Sequence, residues 1–157
     1  LSKTSEINIL PQAIEGLTNI SHIGGALVII TNQSGVNRGF FTIKDVEKVN
    51  NKIISILQSH KCYIAKIYVC PHTPDESCNC RKPKIQNLLK ASKLLNIPLE
   101  KAFMIGDRTS DMKTGENANI YNILIGKNNQ IQNCKQVENI NEASEYIRII
   151  AKKNNWI

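Results

Sequence analysis

The sequence predicts an α/β fold layered around a mainly parallel sheet, and three observations carry that prediction. Strand-length apolar runs alternate with segments of helical periodicity along the chain. Polar clusters rich in Thr, Asn, Cys, His, Asp and Arg begin where the apolar runs stop. No repeat, low-complexity tract or Pro/Gly/Ser-rich linker divides the 157 residues, so residues 1–157 read as a single domain with enough chain to bury a core.

Taken in order, Pro11 opens a helix whose apolar positions are Ile14, Leu17 and Ile20, ending near Gly24 and Gly25. The run Ala26–Ile30 predicts a strand buried on both faces. Thr42, followed three residues later by Asp45, resembles a capping box ahead of a helical stripe at Val46, Val49, Ile53 and Leu57. Tyr63–Val69 forms a second strand. Ile85, Leu88, Leu89 and Leu95 mark a helix stopped by Pro98. Ala102–Ile105 is a third strand, a short helix follows Thr109, and Tyr121–Ile125 is a fourth strand. A last helix begins near Asn141 and buries Ala143, Tyr146, Ile147 and Ile150.

Composition narrows the classes of partner. No apolar run is long enough to span a bilayer, and Leu1–Ile9 carries charges without an apolar stretch, so a cytoplasmic, membrane-free protein is expected. The net charge of +7 would suit an anionic partner, nucleic acid or phosphorylated metabolite. Its lysines are scattered along helices, however, and no basic run with interleaved aromatics occurs, so a solvated face is the better reading and no nucleic acid is expected.

In open α/β sheets, ligands sit beyond the carboxyl ends of the strands. Thr31-Asn32-Gln33-Ser34, Cys70-Pro71-His72 and Gly106-Asp107-Arg108 each follow a strand, so three polar motifs converge on one sheet edge. Cys70, His72, Cys78 and Cys80 supply three thiolates and an imidazole, the donor set of a closed tetrahedral zinc site with a structural role. The alternative is free or disulfide-linked cysteines; cytosolic setting and spacing favour the metal. The intervening Pro74–Ser77 stretch has little apolar content, so metal binding would supply its folding energy. Cys62 and Cys134 fall outside this pattern and read as buried core positions.

Arg81-Lys82-Pro83 follows the last ligand directly, so a metal-locked backbone would hold Lys82 in place. Each remaining feature has a plain reading by itself. T-N-Q-S-G is a polar turn, Lys82 a surface lysine, Asp107 a helix cap and Asp111 a surface carboxylate. Together, a strand-end hydroxyl, a fixed lysine and a strand-end carboxylate match the needs of phosphoryl transfer: oxyanion donors, charge neutralisation and a magnesium ligand.

The ordered strings TNQSGVNRGFFT from Thr31, CPHTPDESCNCRKPK from Cys70 and MIGDRTSDM from Met104 resemble the haloacid-dehalogenase superfamily of phosphatases. Within it they resemble the zinc-containing branch of D-glycero-D-manno-heptose 1,7-bisphosphate 7-phosphatases and histidinol-phosphate phosphatases. The resemblance covers nearly the whole chain. It implies a Rossmann-like, three-layer domain with a minimal cap, acting on a small phosphorylated metabolite by way of an aspartyl-phosphate, with catalytic Mg2+ and structural Zn2+; a monomer is expected. It implies that Thr31 hydrogen-bonds the transferring phosphoryl group, that Asn32, Gln33 and Ser34 line the substrate pocket, and that Lys82 neutralises charge. Arg81 and Arg108 would recognise substrate, Asp107 would bind Mg2+, and Asp111 would orient this group from behind.

One departure matters. The family's nucleophile motif, a strand ending in D-x-D, is absent: the four aspartates are Asp45, Asp75, Asp107 and Asp111, and none ends a strand in that pattern. The expectation is a domain lacking its N-terminal nucleophile strand, on the order of ten to twenty residues, and a chain that does not hydrolyse phosphate esters as it stands. S-G-V-N-R-G-F-F after T-N-Q resembles the heptose branch and puts that substrate first, with histidinol phosphate second. A DNA 3′-phosphatase shares T-N-Q and R-K-P but not the zinc loop. A non-catalytic zinc-stabilised binding module would explain the missing nucleophile from a different class of function.

Overall fold

The computed structural model describes residues 3–157; Leu1 and Ser2, the first two residues of the charged Leu1–Ile9 segment, lie outside them. After a 3-10 turn at Thr4–Glu6, the chain forms α1 (Pro11–His22), β1 (Leu27–Asn32), α2 (Ile43–Ser59), β2 (Ile64–Cys70) and α3 (Gln86–Leu95). A second 3-10 turn at Leu99–Lys101 leads to β3 (Phe103–Gly106), α4 (Thr109–Asn117), β4 (Tyr121–Ile125), β5 (Lys135–Val137) and α5 (Ile140–Lys153).

Local chemistry sets the helix ends. Pro11 lies in the first turn of α1, where its missing N–H costs nothing. At α2 the Thr42 hydroxyl accepts from the Asp45 N–H at 3.2 Å, and the Asp45 carboxylate accepts from the Thr42 N–H at 2.9 Å. The Asn139 carboxamide caps α5 by accepting the Glu142 N–H at 3.0 Å. The helix α3 ends before Pro98, because Asn96 turns left-handed at φ 53°, a conformation that asparagine tolerates.

Every strand pair is parallel, as expected, but the strands make two sheets, β1–β2 and β3–β4–β5. Among the described residues, no strand pairs with the outer edge of β1 or of β3. That openness corrects the expectation of a first strand buried on both faces: Leu27 is buried, whereas Val28–Asn32 are only half-buried. The core nevertheless joins the two sheets, with Ile20, Leu27, Leu57 and Cys62 packed in one cluster with Ile123, Val137, Ala143 and Ile147. Phe103, Tyr121 and Trp156 form an aromatic trio that ties the end of the chain to β3 and β4.

Other expectations change in detail. Cys62 is fully buried, but Cys134 is only half-buried beside the short strand β5, which periodicity did not predict. Leu89 faces outward, and α5 buries Ala143, Ser144, Ile147 and Ala151 while Tyr146 and Ile150 are half-buried. No helix among the described residues is long and apolar enough to cross a membrane.

Gly16 shows how closely α1 and α5 approach. A Cβ at that position would lie 2.5 Å from the Ile140 carbonyl carbon and 2.6 Å from the Asn141 nitrogen. Alanine would gain about 1 kcal/mol of helix propensity, but the clash is with backbone, which cannot rotate away. Overpacking wins, so Gly16→Ala is expected to cost about 1–3 kcal/mol net. Chemical denaturation measures it; a stabilised variant would show that the helices separate freely.

Candidate functional site

Cys70 ends β2, and the donor atoms of Cys70, His72, Cys78 and Cys80 all lie within 4.8 Å of one another. Cys70 Sγ is 3.6 Å from His72 Nδ1 and 3.8 Å from Cys78 Sγ, and Cys80 Sγ is 3.3 Å from His72 Nδ1. A tetrahedron with zinc–sulfur bonds of about 2.3 Å has edges of about 3.8 Å. The quartet therefore fits a zinc ion in donor chemistry and spacing. Burial pushes the Cys70 thiol up to about 12, with the neighbouring Cys80 and Cys78 thiols adding to the rise. Binding a cation is what would release that proton.

The loop around the quartet has its own polar frame. Glu76 accepts from the Thr73 N–H at 2.5 Å and the Thr73 hydroxyl at 2.8 Å, and from Asn37 of the β1–α2 connection at 2.8 Å. These bonds, led by the Thr73 N–H, hold the Glu76 carboxyl below the ordinary glutamate range. Arg81 donates to the His72 carbonyl at 2.9 Å, and Lys84 donates to the Cys78 carbonyl. Part of the Arg81 guanidinium is therefore committed to the loop.

The lysine after the last cysteine reaches across to β1. Lys82 Nζ donates to the Ile30 carbonyl at 2.7 Å and pairs with Asp111 Oδ1 at 2.6 Å, with side chains 12% and 5% exposed. This bond occupies the carbonyl of a residue on β1, the strand whose outer edge carries no partner strand. The Lys82–Pro83 peptide bond is cis. Asn32 contacts the Lys82 backbone twice, while Asn87 of α3 and Asn117 of α4 hold the carbonyls of Cys80 and Pro83.

Asp111, in the first turn of α4, also accepts the Arg108 N–H at 3.1 Å through Oδ2. Gly106 makes room for it, since a Cβ there would land on the Asp111 carboxylate. Asp107 and Arg108 are exposed directly after β3. Thr31 and Asn32 complete β1, with Gln33 and Ser34 half-buried just beyond it. Thr31 Oγ1 accepts from Gln33 Nε2 at 3.2 Å, leaving its own O–H available to donate.

Of the residues singled out in the sequence, the structure joins the four metal-type donors, and separately joins Thr31 to Gln33 and Lys82 to Asn32 and Asp111. Among the described residues it gives the Asp107 carboxylate no such partner. Sequence reasoning missed the roles of Asn87, Asn117, Glu76, Asn37 and Gly106. The one signal was an asparagine placed next to Leu88, in a helix that opens directly after R-K-P.

A turn lysine that reaches a strand carbonyl and pairs with a carboxylate, beside a Cys3His quartet, fits the haloacid-dehalogenase class of hydrolases, and comparison bears this out. The family model described as HAD-hydrolase-like matches residues 79–147. The D-glycero-β-D-manno-heptose-1,7-bisphosphate 7-phosphatase of Helicobacter pylori is 37% identical over 152 residues, covering 94% of this chain and 87% of that protein. The enzyme of the same name from Pasteurella multocida is 34% identical, covering 78% and 70% respectively. The crystal structure of D,D-heptose 1,7-bisphosphate phosphatase from B. bronchiseptica, complexed with magnesium and phosphate, superposes with a TM-score of 0.85. At 22% identity it covers 96% of this chain and 89% of its own, and it shares the fold. The chain belongs to the D-glycero-D-manno-heptose-1,7-bisphosphate 7-phosphatase family of phosphatases.

Proposed function

We propose that this chain forms the phosphate- and metal-handling part of a phosphatase that removes the 7-phosphate from D-glycero-D-manno-heptose 1,7-bisphosphate. The observation that carries the reading is the Lys82 ammonium, held between Asp111 and the carbonyl of Ile30, the residue before Thr31 on β1. Heptose-phosphatase relatives at 34–40% identity favour this substrate over histidinol phosphate.

In this reading Thr31 donates its hydroxyl hydrogen to a non-bridging phosphoryl oxygen, and Lys82 offsets the charge that builds on phosphate and nucleophile. Gln33 holds the Thr31 oxygen in place, and Ser34 lines the pocket with it. The exposed guanidinium of Arg108 and the remaining N–H groups of Arg81 bind the substrate. Asp107 is the carboxylate for Mg2+, which supplies further charge neutralisation at the phosphoryl oxygens when bound. Asp111 fixes the direction of Lys82. Zinc on Cys70, His72, Cys78 and Cys80 is structural, since four protein donors leave no position open for water.

The attacking aspartate and the acid/base aspartate of an aspartyl-phosphate mechanism are not among these 157 residues. Among the described residues neither β1 nor β3 has a partner strand on its outer edge, which supports the pairing of a D-x-D strand with one of these edges in this reading. The protein works as a cytoplasmic monomer in this reading. The 157-residue chain with Mg2+ is expected to release no phosphate, and the same chain with a D-x-D strand fused ahead of Pro11 to hydrolyse the heptose bisphosphate in preference to histidinol phosphate. Turnover by the unfused chain, or the reverse preference, defeats the proposal. A fused protein that folds and binds zinc but stays inert supports the non-catalytic module instead.

A further inference from the structure

Lys82 is gripped at its backbone as well as at its charged tip. Asn32 turns both ends of its carboxamide to that one residue: Oδ1 accepts the Lys82 N–H at 3.1 Å, and Nδ2 donates to the Lys82 carbonyl at 3.2 Å. A neighbouring strand would offer the same reciprocal pair; here a side chain supplies it. Two further carboxamides support the segment. Asn87, 3% exposed on α3, donates to the Cys80 carbonyl at 3.0 Å, and Asn117 on α4 donates to the Pro83 carbonyl at 3.0 Å. Asparagines from β1, α3 and α4 thus hold the carbonyls of residues 82, 80 and 83.

A lysine side chain has four rotatable carbon bonds, and fixing its ammonium alone leaves the stem free to choose among rotamers. Fixing the backbone as well makes the Lys82 stem span two set points, which restricts it to few conformers. We propose that Asn32 is a positioning residue that aims Lys82 at Asp111 and the pocket. A carboxamide offers two N–H donors and two acceptor lone pairs. With one of each engaged by Lys82, the plane of the Asn32 carboxamide is fixed against that backbone, and one N–H and one lone pair remain. The metal and the carboxamides then divide the work: cysteines and histidine shape residues 70–80, and asparagines place residues 80–83.

The catalytic meaning of this role rests on the phosphatase reading, but its test does not. In the zinc-loaded 157-residue chain, hydrogen exchange of the Lys82 amide reports the clamp directly. The Gln33 amide, which donates to the Cys70 carbonyl, serves as the control for general loosening. Asn32→Leu is expected to speed Lys82 exchange about tenfold beyond any change at Gln33. Asn32→Asp keeps the acceptor and should hold that amide within about threefold of its original rate. No selective change in Asn32→Leu, or equal acceleration in both variants, overturns the proposal. Should Asn32→Leu fail to fold, Asn32→Ala serves for a second readout, the coupling between Lys82→Met and Asp111→Leu in a double-mutant cycle. That coupling should fall to about half or less without the clamp. Full coupling in the Asn32→Ala background would mean that the lysine finds Asp111 unaided. An inert D-x-D fusion counts against the phosphatase function and leaves both readouts standing.

Discussion

Replacing Cys78 or Cys80 with serine, or stripping zinc with a chelator, is expected to release the 71–80 connection and destabilise the fold by about 4 kcal/mol or more. Structural zinc contributes about 10–16 kcal/mol to the folding of small finger peptides. Only part of that applies here, because most of the fold rests on the apolar cluster that joins the two sheets. What remains in the loop without an ion is a set of polar bonds: Thr73 and Asn37 on Glu76, the Cys78 N–H on the Glu76 carbonyl, Arg81 on the His72 carbonyl, Lys84 on the Cys78 carbonyl and Asn87 on the Cys80 carbonyl. Burial raises the Cys70 thiol to about 12, so the metal-free quartet keeps this proton at neutral pH, and zinc must expel it on binding. Each fall in pH favours the thiol and hence metal release; rising pH favours retention. At about 3 °C per kcal/mol for a chain of this size, the melting temperature should drop by about 12 °C. Metal analysis should find one zinc per chain in the unaltered protein and none in the Cys80→Ser variant. A zinc-free preparation with an unchanged melting temperature would remove the structural role assigned to the quartet.

The sequence exposed whatever depends on short-range pattern. Pro11, the Thr42–Asp45 capping box and the stripe through Val46, Val49 and Leu57 read directly as helices, and the structure places them there. The C-x-H-x5-C-x-C spacing made the cluster of four metal-type donors legible for the same reason, since all four fall within eleven consecutive positions. The hidden features depend on contacts between distant residues. Asn32 and Lys82 are separated by fifty positions, and Pro83 and Asn117 by thirty-four. Nothing local told that Asn32 would spend its carboxamide on another residue's backbone. The strand β5 has three residues, too few for an alternation to show, and Asn133 before it takes a positive φ. Burial of β1 misread for a related reason: five apolar residues in a row predict a strand covered on both sides, and the cover depends on what pairs with its edge.

Truncating Lys82 should cost more than its place at the rim of the fold suggests. The Lys82 ammonium and the Asp111 carboxylate lie 2.6 Å apart, 12% and 5% exposed, so the pair is screened weakly by water. Removing one member of a buried pair typically costs about 3–5 kcal/mol, because the other charge stays desolvated without a counter-ion. Lys82→Ala leaves Asp111 with the Arg108 N–H on Oδ2 and nothing charged on Oδ1, and it also leaves the Ile30 carbonyl without its donor. Asp111→Asn is expected to cost less, since Lys82 keeps the Ile30 carbonyl and can still donate to a carboxamide oxygen. Replacing both residues with apolar ones of similar length, Lys82→Met with Asp111→Leu, should recover most of the loss, because neither charge is then stranded. Urea denaturation of the singles and the double measures the coupling, expected to be about 2–3 kcal/mol. Costs that simply add would show that the two groups ignore each other in solution. Recovery of stability in the double variant would separate the pair's two roles: the fold tolerates its absence, while the proposed phosphoryl site is left without its cation.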